Sequence, residues 1–507
     1  STDFGKVTAT NTFDILILGG GLAGLGAAYA LKDAPVKFTI LEAQDYLGGR
    51  VRTAEMIAYN SSNHKLKESL DRVDTGAQWL HGVQNEIYRI SAEDNLLATA
   101  GSEEGLGPYI REDGFIFDEY FRKKIDFVIG SILERCEKFV LTENHPQSVG
   151  DYLKDEFEKY LVTLSNAEDR EHARQLLDWH LRFQLIDNSC LNLKELSAKY
   201  WGCYSFNGED CQAHINFKNG FSSVCEAVVQ KIGNNKIRTK KEVCDIDWDV
   251  IDNESNLIAV RTADGETYYA KQVIVTFSIG VLKEQQKIFH PPLPSSMRNY
   301  IKNIGFATIN KIFLQFEQPW WDQMEGIQLI FKDCNYKDKP WTRYLSGFDI
   351  LKPGTPNTLL GWVGSYGATE MEKLTDKEII SDCVELLRKF TSLEVPFPIK
   401  YYCSRWGTNK FIRGGYSYIS TECDTSGLLA DVLSSPITIE HLTRDKAVIE
   451  NFKNLNINDL PKSSKIKNEI HPLLLFAGEA CHEKYFSTAH GAFHSGMKQA
   501  QLILKNM

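Results

Sequence analysis

Residues 13–24 read Phe-Asp-Ile-Leu-Ile-Leu-Gly-Gly-Gly-Leu-Ala-Gly, an apolar run of strand-forming residues that ends in a cluster of glycines. Residues 22–31 are rich in Ala and Gly, which predicts a helix packed closely against a sheet. Residues 36–41 predict a second strand, which ends at Glu42. A strand, a helix and a strand of these lengths are typical of the first βαβ unit of a dinucleotide-binding fold.

The glycines of this unit follow the spacing Gly19-x-Gly21-x-x-Gly24. This spacing serves a tight turn, a close approach of the backbone to a pyrophosphate, and close packing of helix on strand. The helix N-terminus offers free N–H groups to the phosphates, and the acid after the second strand is expected to bind a ribose. The residues predicted to bind the dinucleotide here are Gly19, Gly21, Leu22, Ala23, Gly24, Glu42 and Ala43.

Further motifs lie far along the chain, and the most specific of them is near its end. A predicted strand ends at Gly478, and a predicted helix starts near residue 490. The nucleotide-binding fold must therefore be assembled from separated segments. The motifs are Leu-Gly-Gly-Arg-Val-Arg at 47–52, Gly-Ala-Gln-Trp-Leu-His-Gly at 76–82, Arg-Gly-Gly-Tyr-Ser-Tyr at 413–418, Phe-Ala-Gly-Glu-Ala at 476–480, and Tyr-Phe-Ser-Thr-Ala-His-Gly-Ala at 485–492.

Together these motifs resemble the flavin-containing amine oxidase family, and most of all the animal polyamine and spermine oxidases. The resemblance runs from about residue 12 to the end and is thinnest over residues 90–200. It implies an α/β protein in which a Rossmann-like FAD-binding domain is intertwined with an α+β substrate-binding domain. The expected boundaries are 1–88, 205–300 and 440–507 for the FAD domain, and 89–204 and 301–439 for the substrate domain.

The resemblance also implies how FAD is held. Monoamine oxidases carry a covalent flavin on a Cys where this chain has Gly415, so we expect non-covalent FAD. The family usually has an Arg four residues after the ribose acid, where this chain has Tyr46, so the contact that this Arg makes is not expected here. The additional cofactor residues implied are Gly49, Arg50, Gly76, Ala77, Gln78, Trp79, Val243, Trp406, Gly478, Glu479, Ser487, Thr488 and Ala489.

Two residues are expected to act in catalysis. In the family, a lysine at the place of Lys311 reaches flavin N5 through a water, and a buried cation there favours the reduced flavin. The family's His at the place of His81 lies beside the substrate near the flavin. The residues expected to contact the substrate are His81, Tyr416, Tyr418, Thr488 and, as a candidate for a distal ammonium, Glu209.

Composition limits the partners and the compartment. The chain has 507 residues and a net charge of −10, which disfavours nucleic acid as a partner and suits a cationic substrate. No run of 18 apolar residues occurs, and the 11 cysteines lack zinc spacing, so neither membrane nor metal binding is expected. No signal-like segment is seen, which favours the cytoplasm, although a leader removed before Ser1 would permit secretion. A monomer or a homodimer is expected.

The predicted function is oxidation of a polyamine: spermine, spermidine or an N-acetylated form. A hydride would pass to flavin N5, the imine would hydrolyse to an aldehyde and a shorter amine, and O2 would reoxidise the flavin to give H2O2. Other enzymes of the family, acting on monoamines or L-amino acids, share the flavin motifs and stay open as alternatives. A catalytically silent flavoprotein used as a binding scaffold is a further alternative.

Overall fold

The computed structural model describes residues 6–60, 71–204, 214–334, 339–443, 447, 448, 450, 451 and 471–507. The strands in chain order are β1 (Thr12–Leu18), β2 (Phe38–Leu41), β3 (Thr53–Glu55), β4 (Ile57–Ala58), β5 (Arg72–Asp74), β6 (Leu80–His81), β7 (Tyr109–Arg111), β8 (His214–Ile215), β9 (Ile237–Arg238), β10 (Val243–Asp247), β11 (Ile258–Thr262), β12 (Thr267–Val275), β13 (Phe289–His290), β14 (Gly305–Phe306), β15 (Asn310–Gln315), β16 (Gly326–Ile330), β17 (Leu345–Ile350), β18 (Thr358–Val363), β19 (Lys400–Cys403), β20 (Ser417–Tyr418), β21 (Ile437–Thr438) and β22 (Pro472–Phe476).

The α-helices that connect and cover these strands are α1 (Leu22–Leu31), α2 (Glu86–Glu93), α3 (Glu119–Glu137), α4 (Val149–Leu161), α5 (Ala167–Asp187), α6 (Ser222–Ile232), α7 (Ile279–Glu284), α8 (Ser295–Asn303), α9 (Ser365–Met371), α10 (Asp376–Thr391), α11 (Thr421–Ser426), α12 (Ala430–Ser434) and α13 (Ala489–Lys505). The segments predicted at 13–18, 22–31 and 36–41 occur as β1, α1 and β2.

The first sheet has a parallel core in the order β9-β2-β1-β12-β22. Strands β11 and β10 extend it from β12 as an antiparallel meander. Strands from the beginning, middle and end of the chain therefore lie side by side. The predicted Rossmann-like fold, assembled from separated segments, is confirmed.

Helices α1 and α13 cover one face of this sheet at close range. A Cβ added to Gly26 of α1 would lie 2.2 Å from the carbonyl oxygen of Phe493 in α13. Only small residues allow two helices to approach so closely, which explains the Ala- and Gly-rich sequence of α1. The helix is buried along most of its length, as expected for an element held between a sheet and another helix.

The second sheet is mostly antiparallel, in the order β4-β19-β15-β18-β17-β16-β7. Strand β15 lies near its middle and pairs with β18 so that Lys311 faces Trp362. Helix α10 packs on one face through a core that includes Ile380, Val384 and Leu387. The other face looks towards the first sheet and forms one wall of a large cavity. The domain boundaries given above stay a prediction.

Candidate active site

A cavity of about 780 Å³ extends from the carboxyl end of β1 to the face of β15 that carries Lys311. Its walls include every predicted site residue within the described ranges except Gly24, which lies behind the glycine turn. Glu209, the candidate for a distal ammonium, lies outside the described residues. A single space thus joins residues from both large sheets.

The glycine turn leaves a helix end open to this cavity. Gly19 has φ +110°, and a Cβ on Gly24 would lie 1.9 Å from the Gly19 carbonyl oxygen, so α1 packs directly on the turn. Helix α1 begins after Gly21 with no side-chain cap and no acid in its first turn. Its first N–H groups, including those of Leu22 and Ala23, are left for a ligand.

Glu42 lies at the carboxyl end of β2, beside the turn. Its Oε2 accepts a hydrogen bond from the N–H of Gly20 at 2.6 Å, and its Oε1 accepts one from the N–H of Gln44 at 2.7 Å. Burial raises the pKa of this carboxyl above its usual value. Each oxygen keeps a lone pair that can accept a ribose hydroxyl.

Two glycines leave the room that a dinucleotide needs. A Cβ on Gly21 would find its nearest neighbours, Gly48 O and Gly49 Cα, at 3.9 Å, and a Cβ on Gly478 would find nothing within 4 Å. Both glycines line the cavity. Open space over the backbone, free N–H groups and a buried acid together fit the FAD that the resemblance implies.

Arg50 and Glu479 form an ion pair at the centre of the site. Nη1 of Arg50 lies 2.9 Å from Oε1 of Glu479 and also donates to the carbonyl oxygen of Gly415. Glu479 accepts further hydrogen bonds from the backbone N–H groups of Ser417 and Ser487. The sequence suggested that each of the two charged residues contacts the cofactor. The structure shows that they also join three distant segments, and contact with FAD stays a prediction.

Lys311 is almost completely buried, with 1% of its surface exposed. Its Nζ donates to the carbonyl oxygen of Asp74 and to Oε1 of Gln78, both at 2.9 Å, and lies 4.4 Å from the ring centroid of Trp362. Burial lowers the pKa of this amine to about 7, although the nearby charges of Asp74 and Glu104 oppose that shift. Lys311 can therefore gain or lose a proton close to neutral pH.

His81 ends β6 and lies on the cavity wall. Its ring centroid is 5.2 Å from that of His214, and the two rings meet edge to face. Burial, followed by the neighbouring His214, lowers the pKa of His81 to about 4. The ring is thus neutral near pH 7, with one nitrogen able to donate a hydrogen bond and the other able to accept one.

Aromatic side chains line the cavity, and one of them, Trp362, lies beside Lys311. Trp79 stacks on Trp362 with centroids 6.0 Å apart and an interplanar angle of 10°. The hydroxyl of Tyr416 donates to the carbonyl oxygen of Ile186 at 2.6 Å, which fixes its ring on the wall. Aromatic faces of this kind attract ammonium groups and pack against methylene chains.

Tyr418 and Thr488 line the cavity but also have structural partners. The Tyr418 hydroxyl donates to Glu195, and the ring packs into a hydrophobic cluster. The Thr488 hydroxyl caps α13, because it accepts from the N–H of Gly491 at 2.9 Å and donates to the carbonyl oxygen of Tyr485. Contact of Tyr418 or Thr488 with a substrate stays a prediction.

The remaining predicted cofactor residues lie at two ends of the cavity. Val243 begins β10, and the N–H of Lys241 donates to the carbonyl oxygen of Glu42, which brings this strand beside the acid predicted to bind the ribose. Trp406 donates its Nε1–H to the carbonyl oxygen of Thr75 at 2.9 Å and so holds the segment with Gly76 against the second sheet.

Three carboxylates that sequence reasoning missed also line the cavity. Glu104 lies in the loop before β7, Asp187 is the last residue of α5, and Asp349 is in β17. Burial, together with the charges of Asp349 and Asp187, raises the pKa of Glu104 to about 8. The surrounding protein raises the pKa of both Asp187 and Asp349 to about 6, although the Asp187 side chain is open to the cavity and the Asp349 side chain is only partly buried. The only indication in the sequence was Asp349, an acid within the largely apolar β17 segment. Because acids are common in other strands too, this indication was not specific.

Neither a metal centre nor a membrane span is found in the described part of the chain. Across the described ranges, no three His, Cys, Asp or Glu side chains are grouped as a metal ion would require. Over the same residues, no helix combines the length and the apolar character needed to cross a bilayer.

Comparisons with known proteins identify the family of this chain. A profile of the family described as "Flavin containing amine oxidoreductase" matches residues 22–504. The human peroxisomal N(1)-acetyl-spermine/spermidine oxidase is 27% identical, and the alignment covers 97% of this chain and 94% of that protein. Probable polyamine oxidase 5 of Arabidopsis thaliana is 25% identical, with coverage of 97% and 98%. Human lysine-specific histone demethylase 2 is 26% identical, but the match covers only 53% of its length.

A solved structure shares the fold. A wild-type putrescine oxidase bound to putrescine superposes with a TM-score of 0.65 at 17% identity, over 97% of this chain and 99% of that one. At this level of identity the likeness concerns the fold alone.

Proposed function

This chain belongs to the family of flavin containing amine oxidoreductases, and from that membership we propose that it is an FAD-dependent polyamine oxidase. Its substrate would be spermine, spermidine or an N-acetylated form. The products would be an aldehyde, a shorter amine and H2O2. Bound FAD supplies the acceptor for two electrons from the amine and returns them to O2.

The observation that supports a polyamine is the group of three cavity carboxylates, Glu104, Asp187 and Asp349. A monoamine has one nitrogen, which must lie at the flavin, and it has no further charge for these acids. A polyamine carries additional ammonium groups along a flexible chain. Carboxylates that line a cavity attract positive charge, so a second cation on the substrate is the ligand that suits them.

The aromatic walls suit the rest of such a molecule. Trp79, Trp362 and Tyr416 line the cavity, and Trp362 lies beside Lys311. These faces can bind the methylene segments of a polyamine and exclude water from the reacting carbon. An L-amino acid would need a positively charged group to bind its carboxylate. The three carboxylates described above, Glu104, Asp187 and Asp349, would repel that carboxylate instead.

Lys311 and His81 can form hydrogen bonds to a water and to the substrate amine where oxidation would occur. Two hydrogens of the Lys311 amine point to protein acceptors, so its third position is a lone pair or a proton according to pH. With a pKa of about 7, that position can hold and orient a water in either state. Neutral His81 can accept a hydrogen bond from the substrate nitrogen, which helps to orient the amine.

Peroxide release tests the proposal. The purified holoprotein is assayed with spermine, spermidine, their N-acetylated forms, a benzylic monoamine, an L-amino acid and a histone-tail peptide methylated on lysine. We expect peroxide with at least one polyamine, at a kcat/KM about 10²-fold or more above that for the other classes. Turnover of only a monoamine, an amino acid or the peptide would refute the proposal. A yellow holoprotein that oxidises none of them would support the scaffold alternative instead.

A further inference from the structure

We propose that Ser102 is a positioning residue for Lys311. Its hydroxyl, oriented by Asn216, holds the side-chain amide of Gln78 so that the amide oxygen faces the Lys311 amine. The inference rests on the proposed function and deepens it, because Lys311 is a residue expected to act at the flavin. Ser102 belongs to none of the family motifs and does not line the cavity.

Ser102 lies behind the cavity wall, where separate segments of the chain meet. It is in the loop between α2 and β7, and only 4% of its surface is exposed. Strands β6 and β8 pair so that Leu80 faces Ile215. This pairing brings Gln78, which precedes β6, close to Asn216, which follows β8, and both of these side chains are buried and contact Ser102.

A backbone group sets the direction of the hydrogen bonds around Ser102. The N–H of Ser102 can only donate, and it lies 2.7 Å from Oδ1 of Asn216, so this atom must be the amide oxygen. The Ser102 hydroxyl lies 3.2 Å from the same oxygen and donates its single proton there. Both lone pairs of the Ser102 Oγ are then left to accept hydrogen bonds.

Two donors occupy these lone pairs. Nε1 of Trp79, which has no acceptor capacity, lies 2.7 Å from the Ser102 Oγ, and Nε2 of Gln78 lies 3.2 Å from it. Because the hydroxyl proton is used on Asn216, Gln78 can present only its NH2 group to Ser102. The oxygen of the Gln78 amide therefore points the other way, to Nζ of Lys311 at 2.9 Å.

The orientation of this amide affects the charge of Lys311. An amide oxygen accepts a hydrogen bond from the ammonium and stabilises it, whereas an NH2 group in its place would disfavour the charged form. Burial lowers the pKa of the amine to about 7, against the charges of Asp74 and Glu104, which face it in the described part of the chain. Both acids are the same with or without the Ser102 hydroxyl. A freed or reversed Gln78 amide should therefore lower the pKa of Lys311 further.

The same hydroxyl also holds the aromatic side of the lysine site. Trp79, which donates to Ser102, stacks on Trp362, and Nζ of Lys311 lies 4.4 Å from the centroid of the Trp362 ring. Two neighbours of the amine, Gln78 and Trp362, thus connect back to one serine. This closed arrangement is what a residue that positions Lys311 requires.

The test uses variants that alter the hydroxyl or the group that orients it. Ser102→Ala removes the hydroxyl and adds no heavy atom. Asn216→Leu removes the oxygen that accepts from Ser102, whereas Asn216→Asp keeps an oxygen there. Ser91→Ala is the matched control, because Ser91 is also fully buried but its hydroxyl donates to the carbonyl oxygen of Ile87 within α2. FAD absorbance and the melting temperature confirm that each variant is folded.

The first measurement is the titration of Lys311 in the oxidised holoprotein without substrate. Nε1–H of Trp362 is buried and makes no hydrogen bond to the described residues, so its NMR signal should report the charge beside the ring. We expect a transition near pH 7 in wild type and in Ser91→Ala that is missing from Lys311→Met. Its midpoint should fall by about one pH unit in Ser102→Ala and in Asn216→Leu, but should not fall in Asn216→Asp.

The second measurement is the rate at which O2 oxidises the reduced holoprotein. A midpoint lowered by about one unit reduces the protonated fraction of Lys311 about 10-fold at about pH 8, but hardly changes it at about pH 5, where the amine is protonated in either case. Ser102→Ala should therefore slow oxidation about 10-fold at the higher pH and very little at the lower one. In the Lys311→Met background the same substitution should cause no further slowing, because Ser102 acts through the lysine.

An unchanged midpoint in Ser102→Ala would overturn the inference and leave the proposed function intact. Equal slowing by Ser102→Ala with and without Lys311 would also overturn it, because the serine would then support the structure in general and not the lysine. A lowered midpoint in a holoprotein that yields no peroxide with any polyamine would refute the proposed function and keep the assignment of Ser102.

Discussion

The Nζ atom of Lys311 lies 2.9 Å from Oε1 of Gln78, and this contact joins the second sheet to a segment 233 residues earlier in the chain. Gln78 belongs to the motif that also contains His81, so one hydrogen bond sets the distance between the two residues expected to act at the flavin. The lysine is held in place by protein atoms before any ligand binds. A group fixed in this way needs little reorganisation when charge develops beside it.

Lys311→Met should slow oxidation of the reduced flavin by O2 by about 10²-fold, because it removes a proton donor and cation from a buried position. The variant should still bind FAD, since none of the glycine-turn contacts involves Lys311. Stopped-flow absorbance of anaerobically reduced protein mixed with O2 measures the rate. Lys373→Met, which removes an exposed lysine paired with Glu370, is the control. A reoxidation rate equal to that of wild type would exclude Lys311 from this step.

Gly21→Ala and Gly24→Ala should fail in different ways. The methyl group added at position 21 would meet no atom closer than 3.9 Å, so the apoprotein should fold with an unchanged melting temperature but bind FAD at least about 10-fold more weakly. At position 24 the added methyl group would collide with the Gly19 carbonyl oxygen at 1.9 Å, so the apoprotein itself should be destabilised. Thermal unfolding of the apoproteins and FAD titration distinguish the two. Wild-type FAD affinity in Gly21→Ala would show that the pyrophosphate does not lie over this glycine.

Glu104→Gln should stabilise the protein at alkaline pH. In the folded state Glu104 keeps its proton up to about pH 8, whereas an unfolded glutamate loses it near the usual value of 4.5. Between these values the unfolded state binds fewer protons, so each pH unit lowers the free energy of unfolding by up to about 1.4 kcal/mol. The variant removes this penalty.

Melting temperatures of wild type and Glu104→Gln, measured without substrate, should therefore agree at about pH 4.5 and diverge in favour of the variant by about pH 9. Glu103→Gln should show no such divergence, because that side chain is exposed. A difference that does not change with pH would mean that Glu104 ionises normally in the folded protein.

FAD should be released when the protein is precipitated with acid. Among the described residues that line the cavity, the only cysteine is Cys244, which lies next to Val243 in β10. The position that bears the covalent flavin in monoamine oxidases is Gly415 here, and glycine has no side chain to form the bond. The measurement is the flavin absorbance of the supernatant and of the washed pellet. Flavin retained in the pellet would contradict non-covalent binding.

The amino-acid sequence by itself determined the nucleotide-binding part of this protein. The turn at Gly19, the helix that follows it and Glu42 lie within 24 consecutive residues, so local spacing encodes their geometry. The predicted strand before Gly478 and the helix predicted to start near residue 490 also occur, as β22 and α13, because their hydrophobic patterns are strong.

Only the tertiary structure decided which charges meet. Arg50 pairs with Glu479, and Glu104 faces Asp187 and Asp349, across separations of 83 to 429 residues. Such contacts depend on strand order and register, which bring distant segments to one cavity and leave no periodic signal in the chain. A carboxylate in a loop, another at a helix end and a third in a strand look ordinary in sequence. Their chemistry arises because folding brings them to the wall of one cavity, where the charges of two of them act on the pKa of the third.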